Sequence, residues 1–386
     1  MQVAIVGAGQ TRFGTSAKGL KGMFAEAARA CFGSVDKGME PTRVQEAYVG
    51  SVSFGGAQIG NLAGLLCEHA GMAGVRARRV ENACASGGYA LRDAILAVQS
   101  GRADVALAAG IERMNDQGEE RQRYWLGVSG DTEWERTAGL TFSGVYGLMA
   151  ARHMKDFGTT PEHLGAVAVK NHGNGALNPK AQFQKVVRAE DAARSPPVAS
   201  PLRLLDCCST TDGAGAALVV RGGLARQFTD TPLWVKGMGA ANDVLAIHDR
   251  PSLTELRATR GAGEQAFAMA GLQPKDVHVA ELHDCFTIAE LLALEDLGFC
   301  AKGQGGPTTA SGQTQRGAKL AVNTSGGLKA KGHPLGATGI GQVCELFEQL
   351  RDQAGPRQQQ GAEVGLAHNV GGSGASCTVH ILGRSP

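Results

Sequence analysis

The stretch LRDAILAVQSGRADVALAAG, residues 91–110, carries the reading of the fold. Residues 91–100 have helical apolar spacing, and residues 104–109 form a short apolar run that stops at Gly110. A helix feeding a strand that is apolar on both faces belongs to a β-α-β unit in a sheet covered on both sides. Outward from this point the rhythm continues. Residues 2–7 and 46–51 read as strands and 21–32 as a helix, which predicts an α/β fold with a parallel or mixed sheet.

Between about 114 and 200 the rhythm breaks: the composition turns polar, Trp125 and Trp134 appear, and a Pro-rich run at 195–201 closes the segment. A structureless loop of that length is improbable in a compact domain. The segment is expected to be a partly helical excursion, with a helix at 148–157, that caps the sheet and shapes a pocket. The sheet resumes at 212–220. After a linker at 221–231 a second half follows, with strands at 232–237, 277–281, 363–368 and 376–382 and helices at 288–297 and 339–351. Two similar halves suggest an internal duplication with the site at their junction. The expected domains are 1–220, with 114–200 inserted, and 232–386.

Composition narrows the function. The chain has 386 residues, 38 Lys+Arg, 36 Asp+Glu and a net charge of +2, so no basic face for nucleic acid is expected. With 43% hydrophobic and 19% charged residues it is too apolar for disorder. The 56 glycines, about twice the usual ~7%, allow backbones to approach each other or a ligand closely. Nine irregularly spaced cysteines with no CxxC pair fit neither a zinc ribbon nor a disulfide framework. The start, MQVAIVGAGQTRFG, lacks a basic leader, and no uncharged apolar run approaches about 18 residues. A cytoplasmic protein in a reducing compartment, with no membrane partner, is expected.

Four stretches hold chemistry. In VENACASGGYAL, residues 80–91, Cys84 precedes small residues and a helical run. A helix N-terminus favours thiolate, although a buried packing cysteine is the plainer alternative. In ELHDCFTIAE, residues 281–290, His283, Asp284 and Cys285 lie where a strand gives way to a helix, the usual ligand edge of an α/β sheet. Three adjacent residues cannot converge on one ion, so no metal is expected, and Asp284 reads as a helix N-cap. In NTSGGLKAKGHPLGATGIG, residues 323–341, Gly332 and Pro334 hold His333 in a rigid turn that suits a general base and lacks the Walker lysine. In HNVGGSG, residues 368–374, backbone N–H groups could join an oxyanion hole, or the segment is a plain tight turn. Gly7-Ala8-Gly9…Gly14 is not a dinucleotide fingerprint.

Together these stretches resemble the thiolase family over nearly the whole chain. The resemblance rests on Asn82-Ala83-Cys84-Ala85-Ser86-Gly87, on residues 326–339 around His333, on Asn178-Pro179-Lys180-Ala181-Gln182-Phe183 and on STTDGAGAA, residues 209–217. It implies the thiolase fold: two similar halves in a five-layer α-β-α-β-α sandwich with an inserted loop domain. Two-cysteine thiolases have N-E-A-F where this chain has His283-Asp284-Cys285-Phe286, and C-x-G where it has Asn369-Val370-Gly371. That pattern is similar to the sterol-carrier-protein-X-like branch. The chain ends at Pro386, so no sterol-carrier domain is expected to follow, and Cys377 reads as structural.

The resemblance further implies an acyltransferase. Cys84 would be the nucleophile and His333 its base. His283 and His333 would stabilise the enolate, and Cys285 would act as acid/base. Gly371, Asn369 and Ser209 are the expected oxyanion and substrate-binding residues. Coenzyme A would be a co-substrate, with no cofactor bound permanently. The expected partners are a second copy, giving a homodimer or larger assembly, and a small zinc-ribbon/OB-fold subunit. The general look is similar to thiolases of bacterial aromatic or branched acyl-CoA β-oxidation, including benzoylsuccinyl-CoA thiolysis. A retro-aldolase acting on 3-hydroxyacyl-CoA and a non-catalytic acyl-CoA-binding subunit are the alternatives.

Overall fold

A computed structural model describes residues 1–386. Its first half contributes β1 (Val3–Gln10), β2 (Glu46–Gly50), β3 (Arg76–Val80), β4 (Val105–Glu112) and, after a small separate pair of β5 (Pro197–Ala199) and β6 (Leu202–Arg203), β7 (Gly213–Arg221). The second half contributes β8 (Leu233–Asn242), β9 (Val279–Glu281), β10 (Ala321–Val322), β11 (Val364–Gly371) and β12 (Ser376–Gly383). Across the ten strands the order is β10-β9-β11-β12-β8-β1-β7-β4-β2-β3. Counted from the centre, each half therefore runs first, fifth, fourth, second, third strand. Pairing senses agree as well: the second strand is parallel to the third and fourth, and the remaining pairs are antiparallel. The duplication visible in sequence only as a rhythm is complete in topology. The halves join through two residue pairs, Ala4 with Trp234 and Ile5 with Leu233.

Strand alternation builds the layers. Ala4, Val6, Val105, Leu107, Ala109 and Ile111 face outward onto α1 (Leu20–Gly33) and α2 (Leu62–His69). Val3, Ile5, Ala106 and Ala108 face inward onto α3 (Ser86–Gln99). An excursion follows, with α4 (Glu119–Gly127), α5 (Phe142–Phe157), α6 (Pro161–Gly175) and α7 (Ala189–Arg194). It has its own apolar core, in which Tyr146, Met149 and Val167 meet Phe286 and Leu291 of the second half. The expected linker at 221–231 contains a helix, α8 (Gly222–Phe228). On the outer face of the second half lie α9 (Arg257–Ala270) and α10 (Thr287–Asp296), followed by short α11 (Gly305–Ala310) and α12 (Gly327–Ala330). The last helix, α13 (Thr338–Gln349), packs Val343, Leu346 and Phe347 beside Leu91 and Ile95 of α3, between the half-sheets. The five expected layers result. No helix is long and apolar enough to cross a membrane.

Two elements escape the sequence pattern. β3 reads RARRV and alternates exposed and half-buried side chains because it is the sheet's edge. α9 presents Ala258, Ala262 and Ala266 to the sheet, a small-residue stripe with little apolar contrast.

The topology positions the site. α3 follows β3 and α13 follows β10, so Cys84 and His333 precede equivalent helices of the two halves. These helix starts touch: a Cβ added at Gly339 would lie 2.4 Å from both the Gly88 nitrogen and Asn369 Oδ1. No side chain fits there, so only glycine lets the two turns share one space.

Candidate active site

Cys84 sits on a strained turn. Ala83 adopts φ 49°, a left-handed conformation that costs an L-residue ~1–2 kcal/mol. Ser86 locks it, accepting from Asn82 N–H at 2.9 Å and donating to the Ala83 carbonyl at 2.6 Å. The backbone N–H groups of Gly372 and of Cys84 itself favour the ionised sulfur, by less than burial opposes it. The sequence predicted a lowered thiol pKa here, and the structure reverses that. Helix α3 begins only at Ser86, while burial, with smaller effects from the Cys208 thiol and the Glu112 carboxylate, pushes the Cys84 thiol up. Cys84 is therefore held as a neutral thiol, whose ionisation needs a base.

A neighbouring hydroxyl fixes the tautomer of His333. Its Nδ1 lies 2.7 Å from Thr338 Oγ1, whose single hydroxyl hydrogen is donated to the Pro334 carbonyl at 2.9 Å. Thr338 can therefore only accept, so Nδ1 carries the proton and Nε2 presents a lone pair. Burial lowers the pKa of His333 to about 3, keeping it neutral.

His283 has the opposite tautomer. Asn369 Oδ1 accepts from Gly88 N–H at 3.0 Å, which turns its amide nitrogen toward the Cys84 carbonyl at 2.9 Å and His283 Nδ1 at 3.2 Å. His283 Nδ1 is thus an acceptor and its proton sits on Nε2. Burial, then His333 and His368, hold its pKa well below the usual imidazole range. One ligand-type atom each of Cys84, His283 and His333 falls within 4.8 Å of the others. The three side chains thus bring an N–H, a lone pair and a thiol together.

Cys285 shares a cavity of about 100 Å³ with Cys84, His333, Cys208, Ser209 and Gly372. Burial pushes its thiol up as well. Ser209 Oγ is buried there without a partner, which suits a group awaiting substrate. Gly372, where the chain turns beyond the end of β11 at Gly371, lines the same cavity. One expectation is corrected. Asp284 is not the N-cap of its own helix α10, which starts after Phe286. It accepts from the Leu328 N–H at 2.7 Å and from Asn171 Nδ2 at 2.7 Å, so it secures the chain just ahead of His333. Sequence reasoning also missed Thr338, although its place five residues after His333 in the Gly/Pro turn was a local signal. Gly372 had only the ambiguity of adjacent glycines.

Comparison with known proteins fits this geometry. Residues 3–223 match the thiolase N-terminal domain family and residues 239–384 the thiolase C-terminal domain-like family. The chain belongs to the thiolase family. It is 45% identical over 385 residues to an acetyl-CoA acetyltransferase of Methanothermobacter thermautotrophicus, covering 99% of each chain. It is 33% identical to a benzoylsuccinyl-CoA thiolase subunit of Thauera aromatica, covering 96% of this chain and 95% of that one. Sterol carrier protein 2 of Rattus norvegicus is 33% identical, with 99% of this chain covering 72% of it. Among solved structures, the Ltp2-ChsH2(DUF35) aldolase superposes with TM-score 0.85 at 26% identity, covering 99% of this chain and 98% of that one. Human mitochondrial 3-ketoacyl-CoA thiolase in complex with CoA superposes with TM-score 0.77 at 18% identity, covering 100% and 98%. The chain is an acyltransferase of the thiolase type, with coenzyme A as co-substrate and no permanent cofactor.

Proposed function

We propose that this thiolase cleaves a short 3-oxoacyl-CoA with Cys84 as nucleophile and Cys285 as the acid/base at C2. The observation that carries this reading is the pairing of two thiols in one cavity, half-buried Cys84 and buried Cys285, with two histidines of opposite tautomer. His333 Nε2 takes the Cys84 proton, and the thiolate attacks C3. The N–H groups of Gly372 and Cys84 receive the oxyanion. As the C2–C3 bond breaks, the enolate oxygen accepts from His283 Nε2–H and from the newly protonated His333. Cys285 then protonates C2. The Cys285 thiolate takes the proton of incoming CoA, whose sulfur lifts the acyl group from Cys84, and His333 returns its proton to Cys84. Reversed, the same steps are a Claisen condensation. Asn369 and Ser209 act as positioning and substrate contacts, and the thiol pair favours this reading over a retro-aldolase or a binding subunit.

The 45%-identical acetyl-CoA acetyltransferase supports a short acyl group, which makes acetoacetyl-CoA the favoured substrate. The relative from Thauera aromatica supports a second reading, benzoylsuccinyl-CoA. In assembly, the open edge of β3 supports a homodimer. The Ltp2-ChsH2(DUF35) likeness supports a small second subunit. Nine free cysteines support residence in reducing cytoplasm. The two half-sheets support domains at 1–220, with 114–200 inserted, and 232–386.

The test uses acetyl-CoA. Intact-protein mass should show one acetyl group on the wild type and none on Cys84→Ala. Cys285→Ser should still acetylate but exchange deuterium into the acetyl methyl about 10²–10⁴-fold more slowly. Acetylation of Cys84→Ala at the wild-type rate would falsify the nucleophile assignment, and wild-type exchange in Cys285→Ser would remove the acid/base role. Activity on benzoylsuccinyl-CoA above that on acetoacetyl-CoA would exchange the two substrate readings.

A further inference from the structure

Tyr146 lies on α5 of the excursion, far in sequence from the cysteines, yet it lines the same cavity as Cys84 and Cys285. Only 1% of the residue is exposed. Its ring stacks on Phe286 with centroids 4.6 Å apart and planes at 23°, and Phe286 is the residue after Cys285. One backbone segment thus fixes both the ring and the thiol. The Tyr146 hydroxyl and the Cys285 thiol lie close enough in that cavity for each to shift the other's ionisation. The nearest cation, Arg250, is already committed to the carbonyls of Val244 and Ser373 and to Ser373 Oγ. Phenylalanine would stack on Phe286 equally well, so packing leaves the hydroxyl unexplained.

Resting on the acid/base role given to Cys285 above, we propose that Tyr146 is a further catalytic residue, its O–H stabilising the thiolate that Cys285 becomes after protonating C2. In that step the S–H bond breaks, a C–H bond forms at C2, and the negative charge moves from the enolate to the sulfur. The incoming CoA thiol then returns a proton to that sulfur. A hydrogen bond to an ionised acceptor is roughly twice as strong as one between neutral groups. The Tyr146 contact therefore strengthens as charge arrives on the sulfur and weakens as it leaves. Burial raises the Tyr146 pKa well above its ordinary value, so the group stays protonated and acts only as a donor. Among the other groups facing Cys285, the Asp284 carboxylate opposes its ionisation, while the Phe286 N–H acts in the same favourable sense as the Tyr146 hydroxyl.

The test is Tyr146→Phe in the full chain, with acetyl-CoA as the probe and two readouts. The final extent of Cys84 acetylation, read by intact mass, should persist within about twofold, because attack by Cys84 uses His333 and the CoA sulfur can leave as a thiolate without a proton from Cys285. Deuterium exchange into the acetyl methyl should fall about 10- to 100-fold at neutral pH and recover as pH rises, its profile displaced upward by about one pH unit. Unchanged exchange with an unchanged profile would make Tyr146 a packing residue. Equal loss of acetylation and exchange would assign the effect to cavity shape, and either result overturns the proposal. Cys285→Ser run alongside keeps the two ideas apart. Wild-type exchange in Cys285→Ser removes the acid/base reading itself, whereas slow exchange there with normal exchange in Tyr146→Phe removes only the Tyr146 role.

Discussion

The imidazoles of His283 and His333 lie 5.0 Å apart, centre to centre, at 85°, and carry their protons on opposite ring nitrogens. One presents a lone pair and the other an N–H to the space beside Cys84. Neither arrangement comes from the ring itself. Thr338 sets one and Asn369 the other.

Changing the partner should therefore change the tautomer. In Asn369→Asp the carboxylate accepts where the amide donated, which moves the His283 proton to Nδ1 and leaves Nε2 without a donor. Thiolysis kcat should fall about 10²–10³-fold, the usual loss for one oxyanion donor, with KM little changed. A kcat within about threefold of wild type would show that the enolate does not rely on His283.

The raised Cys84 pKa has a direct signature. A preformed thiolate–imidazolium pair would alkylate at a rate that is flat near neutrality, as expected for activated cysteines. Here burial keeps both Cys84 and His333 neutral. Alkylation by iodoacetamide should be slow at pH 7 and rise about tenfold per pH unit through pH 9, since each unit of pH multiplies the thiolate fraction tenfold. A plateau below pH 8 would contradict this.

Buried histidines make the fold sensitive to acid. His333, His368 and His380 have pKa values lowered to about 3, and His172 to about 4, in each case chiefly by burial. Unfolded, they protonate near 6.5. Below that pH the unfolded chain binds more protons, so stability is complete at neutral pH and falls as pH drops toward the folded values. Each histidine contributes up to ~1.4 kcal/mol per pH unit. Asp284, raised to about 7 by burial and then by Glu290, acts in the opposite sense. Its contribution is present below the ordinary carboxylate range and is lost as pH rises toward 7, and Glu112, Glu281, Asp296 and Glu348, also raised by burial, act in the same sense as Asp284. The urea midpoint should drop between pH 7 and pH 5, and a midpoint constant over that range would refute the balance.

Glycine at the helix crossing can be tested against glycine elsewhere. Gly339→Ala places a Cβ 2.4 Å from the Gly88 nitrogen, a backbone atom with nowhere to go. It should destabilise by about 1–3 kcal/mol and reduce turnover by displacing Asn369. Gly64→Ala in α2 meets nothing within 4 Å and should instead stabilise by ~0.5–1 kcal/mol. Similar urea midpoints for the two variants would disprove the close-approach account.

The sequence by itself determined the repeating α/β architecture, because the alternation of strands and the spacing of helices are set by neighbouring residues. It also determined which turns carry Cys84 and His333, since those turns are built from contiguous glycines and a proline. It misjudged the edge strand β3 and helix α9, where the side chains facing the sheet or solvent give little apolar contrast. Only the tertiary structure decided that Cys84 rests as a neutral thiol and that Asp284 secures the His333 segment. It alone placed Asn369, 86 residues away, on His283 and Tyr146 on Cys285. The physical reason is shared. Protonation states depend on desolvation and on partners that exist only once the two halves and the excursion close around the cavity.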